Sequence, residues 1–420
     1  MNYLKLISKY KICCLIILHY LFYIIILNKV HVDLNFFKKK INLHLSPLNY
    51  DEFLMSNLTN NDEKNSILWR GRMFLNKCLN STNNNIYIKN ENPDISVIIP
   101  SYNCEKTIAT SIRSAQYQNF SNIEFIIVDD FSKDKSKNVI NNIRVYDKRI
   151  TFIENKKNMG TLYSRCIGSL LSKGSYILSL DNDDLFFDED VFDFLYKEAK
   201  NDDLDLLSFR VLTFSNYFDK ITKMKDYRFY GFKNNLFLSQ PQIGIFPISF
   251  NGSFSIHDNE IWSKIIKSII YKKAVNLLGI QRYSKYVCWA EDTNINFIIF
   301  NIATSFMYSH KYGYIHIKRR TSASYTQTIN NKLYGELFFL DVMFDFSKNT
   351  SDKNFAVSYA LYIKKRYKLE KFVNNIFHRY LTIILHKIIK SKYITDRNRK
   401  KLEISFKRFL FHNGSKNIFV

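Results

Sequence analysis

The sequence predicts an α/β fold: a Rossmann-like, mostly parallel sheet flanked by helices. Three observations carry the prediction. From Pro93 onward, short apolar runs alternate with segments of helical period in the order β-α-β-α-β-α-β. The runs at 95–99 and 123–128 are almost unbroken apolar, as strands buried on both faces are. Polar residues close these runs, most densely Asp181-Asn182-Asp183-Asp184. Open α/β sheets hold their ligands at such carboxyl ends.

Taken in order, residues 95–99 read as a strand, 105–117 as a helix, 123–128 as a strand and 133–146 as a helix. Residues 150–153 form a third strand and 160–171 a helix. Gly174-Ser175 then turns the chain into a strand at 176–180. Repeated β-α units imply parallel strands joined by right-handed crossovers. Farther on the pattern loosens. Residues 204–214 read as another strand, 260–278 as an amphipathic helix and 304–316 as a pair of short strands. From about Thr326 the chain turns helical and basic, with Lys364, Lys365, Arg366, Lys368 and Lys371 close together.

Composition bounds the rest. The 420 residues carry a formal charge of +23 and are 46% hydrophobic, enough for a sizeable core. Five prolines and eleven glycines argue against a repeat array or a flexible linker protein. The six cysteines form neither a Cys-x-x-Cys pair nor a Cys/His cluster, so zinc and redox chemistry find no support. The positive charge comes without any recognisable nucleic-acid module, and no nucleic-acid partner is expected. Residues 12–27 are nearly all apolar and follow Lys5, Lys9 and Lys11. As a helix this run spans about 24 Å, which lysines reaching to the headgroups would extend across a bilayer. No small-residue cleavage site follows it, so the expectation is an uncleaved N-terminal membrane anchor. The basic flank would stay cytosolic, giving a single-pass type II protein with its bulk in the Golgi or ER lumen. The expected organisation is therefore an anchor at 1–30, an Asn-rich stem at 31–92, an α/β domain at 93–325 and a basic helical region at 326–420.

The three carboxylates among residues 181–184 repel one another unless a cation neutralises them. Oxygen ligands at a strand end suit Mg²⁺ or Mn²⁺, which share their coordination with substrate phosphates. The same residues would also suit a solvated turn capping the next helix.

Four elements occur in order: Ile95-Ser96-Val97-Ile98-Ile99-Pro100-Ser101-Tyr102-Asn103, Ile126-Ile127-Val128-Asp129-Asp130, Asn158-x-Gly160-x-x-x-x-Arg165 and Leu180-Asp181-Asn182-Asp183-Asp184. Together they resemble the nucleotide-sugar-binding half of family 2 glycosyltransferases, enzymes of the GT-A fold. The resemblance is dense over residues 94–215 and thinner to about 325. It implies a metal-dependent, inverting transfer of sugar from a UDP- or GDP-sugar to a hydroxyl on a glycan, glycoprotein or glycolipid. Donor contacts would fall to Pro100, Tyr102, Asp130, Arg165 and Asp181, with Arg165 facing the diphosphate. Asp183 would hold Mn²⁺ or Mg²⁺, and Asp184 would cap the following helix. Trp289-Ala290-Glu291-Asp292 resembles the acidic pair at the acceptor site, which makes Asp292 the expected base and Glu291 its support. The segment around His316 resembles a late basic element, with His316 as a further metal ligand and Lys318 to Arg320 covering the diphosphate. Trp262, in a segment shared with Lys264, would line the acceptor pocket.

The chain departs from the processive synthases of that family. It lacks their Gln-x-x-Arg-Trp element and their C-terminal membrane spans, so addition of one or a few sugars is expected. Two other readings remain: a dolichyl-phosphate sugar synthase using the same donor site, and a catalytically silent glycan-binding protein of the same fold.

Overall fold

The computed structural model describes residues 67–80, 85–215, 223–227, 248–250, 253–255, 260–319, 326–346, 350–367 and 376–410. The apolar run at 12–27 and the anchor expected there lie outside them. Among the described residues no helix is long and apolar enough to cross a membrane.

The alternation predicted from Pro93 is present. Strands β1 (Ile95–Ser101), β2 (Ile123–Asp129), β3 (Ile150–Glu154) and β4 (Tyr176–Ser179) pair in parallel in the order β3-β2-β1-β4. Ile95 lies opposite Ile123 on one side and Tyr176 on the other. Every residue of β1 and β2 is buried, which is why both read as continuous apolar runs. Helix α1 (Ile67–Asn80) precedes the sheet. Helices α2 (Ile108–Gln116), α3 (Ser136–Tyr146) and α4 (Thr161–Leu171) make the crossovers.

Beyond β4 the sheet becomes mixed. A two-residue strand β5 (Leu185–Phe186) and helix α5 (Val191–Asn201) lead to β6 (Leu206–Ser215) and β7 (Lys223–Tyr227). A small hairpin of β8 (Ile248–Phe250) and β9 (Ser253–Ser255) follows. Strand β10 (Lys264–Lys267) then inserts antiparallel between β4 and β6, and helix α6 (Ser268–Leu278) leaves it. The single amphipathic helix expected over 260–278 is thus a 3₁₀ turn, a central strand and a shorter helix. Ile265 and Ile266 serve opposite faces of the sheet, a period of two that four residues are too few to advertise. Helix α7 (Glu291–Ile302) runs into β11 (Phe306–Lys318). That strand was expected as two. It is one, kinked where its register against β6 shifts between Tyr308 and Tyr314.

Strand alternation divides the core in two. Val97, Ile99 and Leu178 point to the side covered by α2 and α5, where Phe74, Leu75 and Cys78 of α1 also pack. Ile98 and Ile177 point to the side covered by α4, α6 and α7. Helices α8 (Ile329–Phe346), α9 (Thr350–Tyr367), α10 (Ile376–Lys390) and α11 (Asp396–Ser405) join this second side. Leu333, Leu337, Ala360 and Leu385 share its core with Ile98 and Cys166. Packing therefore runs across residue 325, and Asp62–Val420 forms one compact unit.

Candidate functional site

The strand order places the switch between β1 and β4, the point at which open sheets leave a crevice at their carboxyl ends. Tyr102 follows β1 and stands 45% exposed on its rim. Asn103 takes the left-handed conformation (φ 46°), which a short polar side chain tolerates. Its N–H donates to Ser132 Oγ (2.9 Å) and its Oδ1 accepts from the Lys133 N–H (2.8 Å), tying the loops after β1 and β2 together. The Pro100 carbonyl accepts from Asn182 Nδ2 (2.9 Å), so the end of β1 also braces the acidic turn after β4.

The two aspartates ending β2 have different surroundings. Asp129 is fully buried and accepts from the Ser132 N–H at 2.9 Å. Asp130 accepts from Asn155 Nδ2 (2.8 Å) and from the Met159 and Gly160 N–H groups (2.7 Å each). It therefore builds the turn into α4. Gly160 is required there: its φ is +89°, and a Cβ would lie 2.9 Å from the Val287 carbonyl oxygen.

Helix α4 carries Arg165 into the crevice. Gly168, one turn later, lets the helix approach Ile98 of β1 so closely that an added Cβ would fall 2.6 Å from Ile98 Cγ2. Arg165 is only 2% exposed, and its guanidinium forms ion pairs with both Asp181 and Asp292. Glu291 lies 3.9 Å from the same group. Burial pushes the Glu291 carboxyl above its ordinary range, with Arg165 opposing. Asp292 also faces the Ile261 N–H at 3.4 Å. Acidic residues in the first turn of α7 sit where a helix favours negative charge.

Asp183 faces the other way within the turn, towards Arg319 Nη1 at 2.7 Å. Burial raises its pKa even against that charge. Asp184 does not cap the next helix. It is 2% exposed and accepts from the Ile317 N–H (2.7 Å) and the Tyr314 hydroxyl (3.2 Å), anchoring β11 beneath the acidic turn. Burial, then repulsion from Asp183 and Asp181, push its carboxyl well above the usual range. The buried position explains the change of role, because a capping carboxylate needs a helix start at hand and α5 begins only at Val191. Tyr314 also accepts from the Asp181 N–H (3.0 Å) and stacks on Trp262 at 4.8 Å. Lys264 is buried beneath, donating to the Glu260 carbonyl and to Ser263 Oγ at 3.2 Å.

His316 lies 5.2 Å from the Trp262 ring, and burial lowers its pKa to about 4. The imidazole is therefore neutral at pH 7. In the metal-free chain the unfolded state binds this proton more readily than the folded one. The contribution is intact above about pH 6.5 and drains away as pH falls towards 4. Denaturation in EDTA at pH 7 and pH 5 should show the wild type losing about 2 kcal/mol relative to His316→Gln. Equal pH slopes for the two chains would contradict this.

The fold thus gathers Arg165, Asp181, Glu291 and Asp292 into one cluster, with Asp183 on the same acidic turn paired to Arg319 after β11, and Tyr102 and Asp130 on the rim. Asn155 and residues 286–288 were not expected at the site. None stands in a pattern that would single it out.

Comparison with known proteins agrees with this layout. The profile for Glycosyl transferase family 2 matches residues 96–259. An uncharacterised glycosyltransferase of Methanocaldococcus jannaschii, MJ1057, is 31% identical over 213 residues, covering 50% of this chain and 69% of that one. The Escherichia coli glucosyltransferase WfaP is 42% identical over 90 residues, 21% of this chain and 35% of its own. The first three curated relatives are spanned over 47%, 35% and 31% of their lengths. Among solved structures, Staphylococcus aureus TarS 1–349 superposes with a TM-score of 0.52 at 14% identity, covering 75% of this chain and 88% of that one. The GT-A-like architecture is shared.

These relatives correct one expectation. They include proteins of Escherichia coli and Campylobacter jejuni, cells without a Golgi or an ER. The expected placement as a type II protein of the Golgi or ER lumen is overturned with them. A relative matched over more than two thirds of its length, and the strand-end elements themselves, establish the kinship: the chain belongs to glycosyl transferase family 2.

Proposed function

We propose that the chain transfers a sugar from a UDP- or GDP-sugar to a hydroxyl of a carbohydrate acceptor, inverting the anomeric carbon. One observation carries the reading: Arg165 links Asp181, at the donor end of β4, to Asp292, at the start of α7. Two acidic elements 111 positions apart in sequence thus flank one crevice, as a donor site and an acceptor site must.

In this reading Tyr102 offers its exposed ring to the nucleobase, and Asp130 and the Pro100 backbone shape the rim beneath it. Arg165 directs its fork of donors at the two carboxylates, holding both in register. Asp292 accepts the proton of the acceptor hydroxyl while that oxygen attacks the anomeric carbon. The bond from that carbon to the diphosphate breaks, and its electron pair leaves with the nucleoside diphosphate. Glu291 borders the acceptor side.

The donor set suits a hard cation. Asp181 and Asp183 offer carboxylate oxygens with their side chains 29% and 30% accessible, and His316 offers a neutral ring. Among the described residues no group of three or more His, Cys, Asp or Glu side chains is disposed to hold a metal alone. The remaining ligands would be donor phosphate oxygens and water. Mn²⁺ or Mg²⁺, held mainly by Asp183, would neutralise charge on the departing diphosphate.

The WfaP relative is named for an acceptor sugar on diphosphoundecaprenol, which makes a polyprenyl-diphosphate-linked saccharide the first acceptor to try. TarS has been solved in complex with UDP-GlcNAc, which makes UDP-sugars the first donors. The test is release of UDP or GDP from a panel of nucleotide sugars by the full chain with Mn²⁺. Turnover with at least one donor is expected, falling by at least about tenfold in EDTA. Turnover indifferent to EDTA removes the metal, and no turnover with any donor removes the reading.

A further inference from the structure

The segment 286–290 joins the donor rim to the start of α7, and both of its faces are held. On one face the Val287 backbone lies against Gly160, whose N–H is bound by Asp130. On the other face the holding residues all come from the C-terminal helical region. Cys288 Sγ donates to Gln327 Oε1 at 3.2 Å. Gly335 of α8 lies so close to the Trp289 carbonyl that a Cβ there would collide with it. The Lys332 ammonium stands 4.7 Å from the centre of the Trp289 ring. The Trp289 indole N–H donates to Glu336 Oε1 at 3.4 Å.

Glu336 is the centre of this brace. It is 5% exposed, accepts from the Tyr359 hydroxyl through Oε2, and has Arg366 at 3.4 Å. A carboxylate buried among donors is weak evidence for stability, since a well-packed apolar side chain would often serve as well. Its position has a consequence for geometry. Trp289 leads into Ala290, which adopts a left-handed conformation (φ 55°) that L-alanine takes only when its surroundings impose it. Two residues later comes Asp292, already paired with Arg165.

We propose that Glu336 is a positioning residue: through Trp289 it fixes the Ala290 turn and so sets the distance of Asp292 from Arg165 and from the acceptor hydroxyl. The C-terminal region would then tune the acceptor side of the site. The proposal rests on Asp292 being the base, and its test separates the two ideas.

The experiment measures hydrolysis of UDP-sugars by the full chain, UDP affinity by calorimetry and the pH dependence of kcat. In Glu336→Ala, kcat should fall about tenfold or more while UDP affinity stays within about twofold, the pattern of a misplaced reacting group. The acidic limb of the kcat profile should move to higher pH, because a base drawn away from Arg165 loses the charge that favours its ionised form. Glu336→Gln, which can still accept from the indole, should restore part of kcat. Unchanged kcat, or kcat and UDP affinity falling together with the limb in place, would overturn the proposal. Should Glu336→Ala fail to fold, Trp289→Phe removes the indole N–H while keeping an aromatic ring at that place, and an unchanged profile there would overturn it equally. Asp292→Asn serves as the reference: full hydrolysis in that variant overturns the base assignment itself, whatever Glu336 does.

Discussion

Asp292→Asn is expected to lower turnover by about 10²–10⁴-fold, the usual contribution of a positioned proton acceptor, and to leave UDP affinity nearly unchanged. The amide keeps the shape of the carboxylate and still presents an oxygen to the Arg165 guanidinium, so the ion-paired cluster loses charge but not its outline. What it loses is the capacity to take a proton. The two measurements are initial rates of UDP release and calorimetric titration with UDP. A variant that loses donor binding in step with turnover would reduce Asp292 to a scaffold for Arg165. A variant with wild-type turnover would move the base elsewhere.

Asp183→Ala is the second large effect. Removing the carboxylate is expected to lower turnover by about 10³-fold, equivalent to about 4 kcal/mol of transition-state stabilisation at the departing diphosphate. The fold should survive, because Asp183 lies on a turn with 30% of its side chain accessible and takes no part in the sheet. Its partner Arg319 is nearly buried, so a modest loss of about 1–3 kcal/mol is expected from weakening a charged hydrogen bond. Urea denaturation, turnover with Mn²⁺ and Mn²⁺ binding in the presence of UDP check the three parts. Retained turnover would remove Asp183 from the metal site, whereas unfolding would show that the Arg319 pair is needed for the fold.

The stretches legible from sequence are those in which the decisive pattern is local. The strands at 95–101, 123–129 and 176–179 could be read because their neighbours bury both faces and leave an apolar run, and the part-exposed edge strand at 150–154 because it continues the β-α alternation. The central strand at Lys264–Lys267 could not. It is four residues long, begins and ends with lysine, and owes its conformation to the edges of β4 and β6 that it joins. The 306–318 strand reads as two because Gly313 and the shifted register interrupt its alternation, while pairing with β6 carries it through. Asp184 resembles a helix cap by its neighbours in sequence. Only the approach of Tyr314 and Ile317 from β11 makes it a buried anchor.

The sequence alone determined the succession of parallel strands along the chain, the family and the acidic groups at the strand ends, because apolar period and strand-end chemistry are written along the chain. Tertiary structure decided which charge faces which. Arg165 meets Asp181 sixteen residues away and Asp292 a further 111 beyond it, Asp183 meets Arg319, and Glu336 reaches back to Trp289. A buried charge is tolerated only beside a partner. That partner is found through space, at a separation no local pattern records.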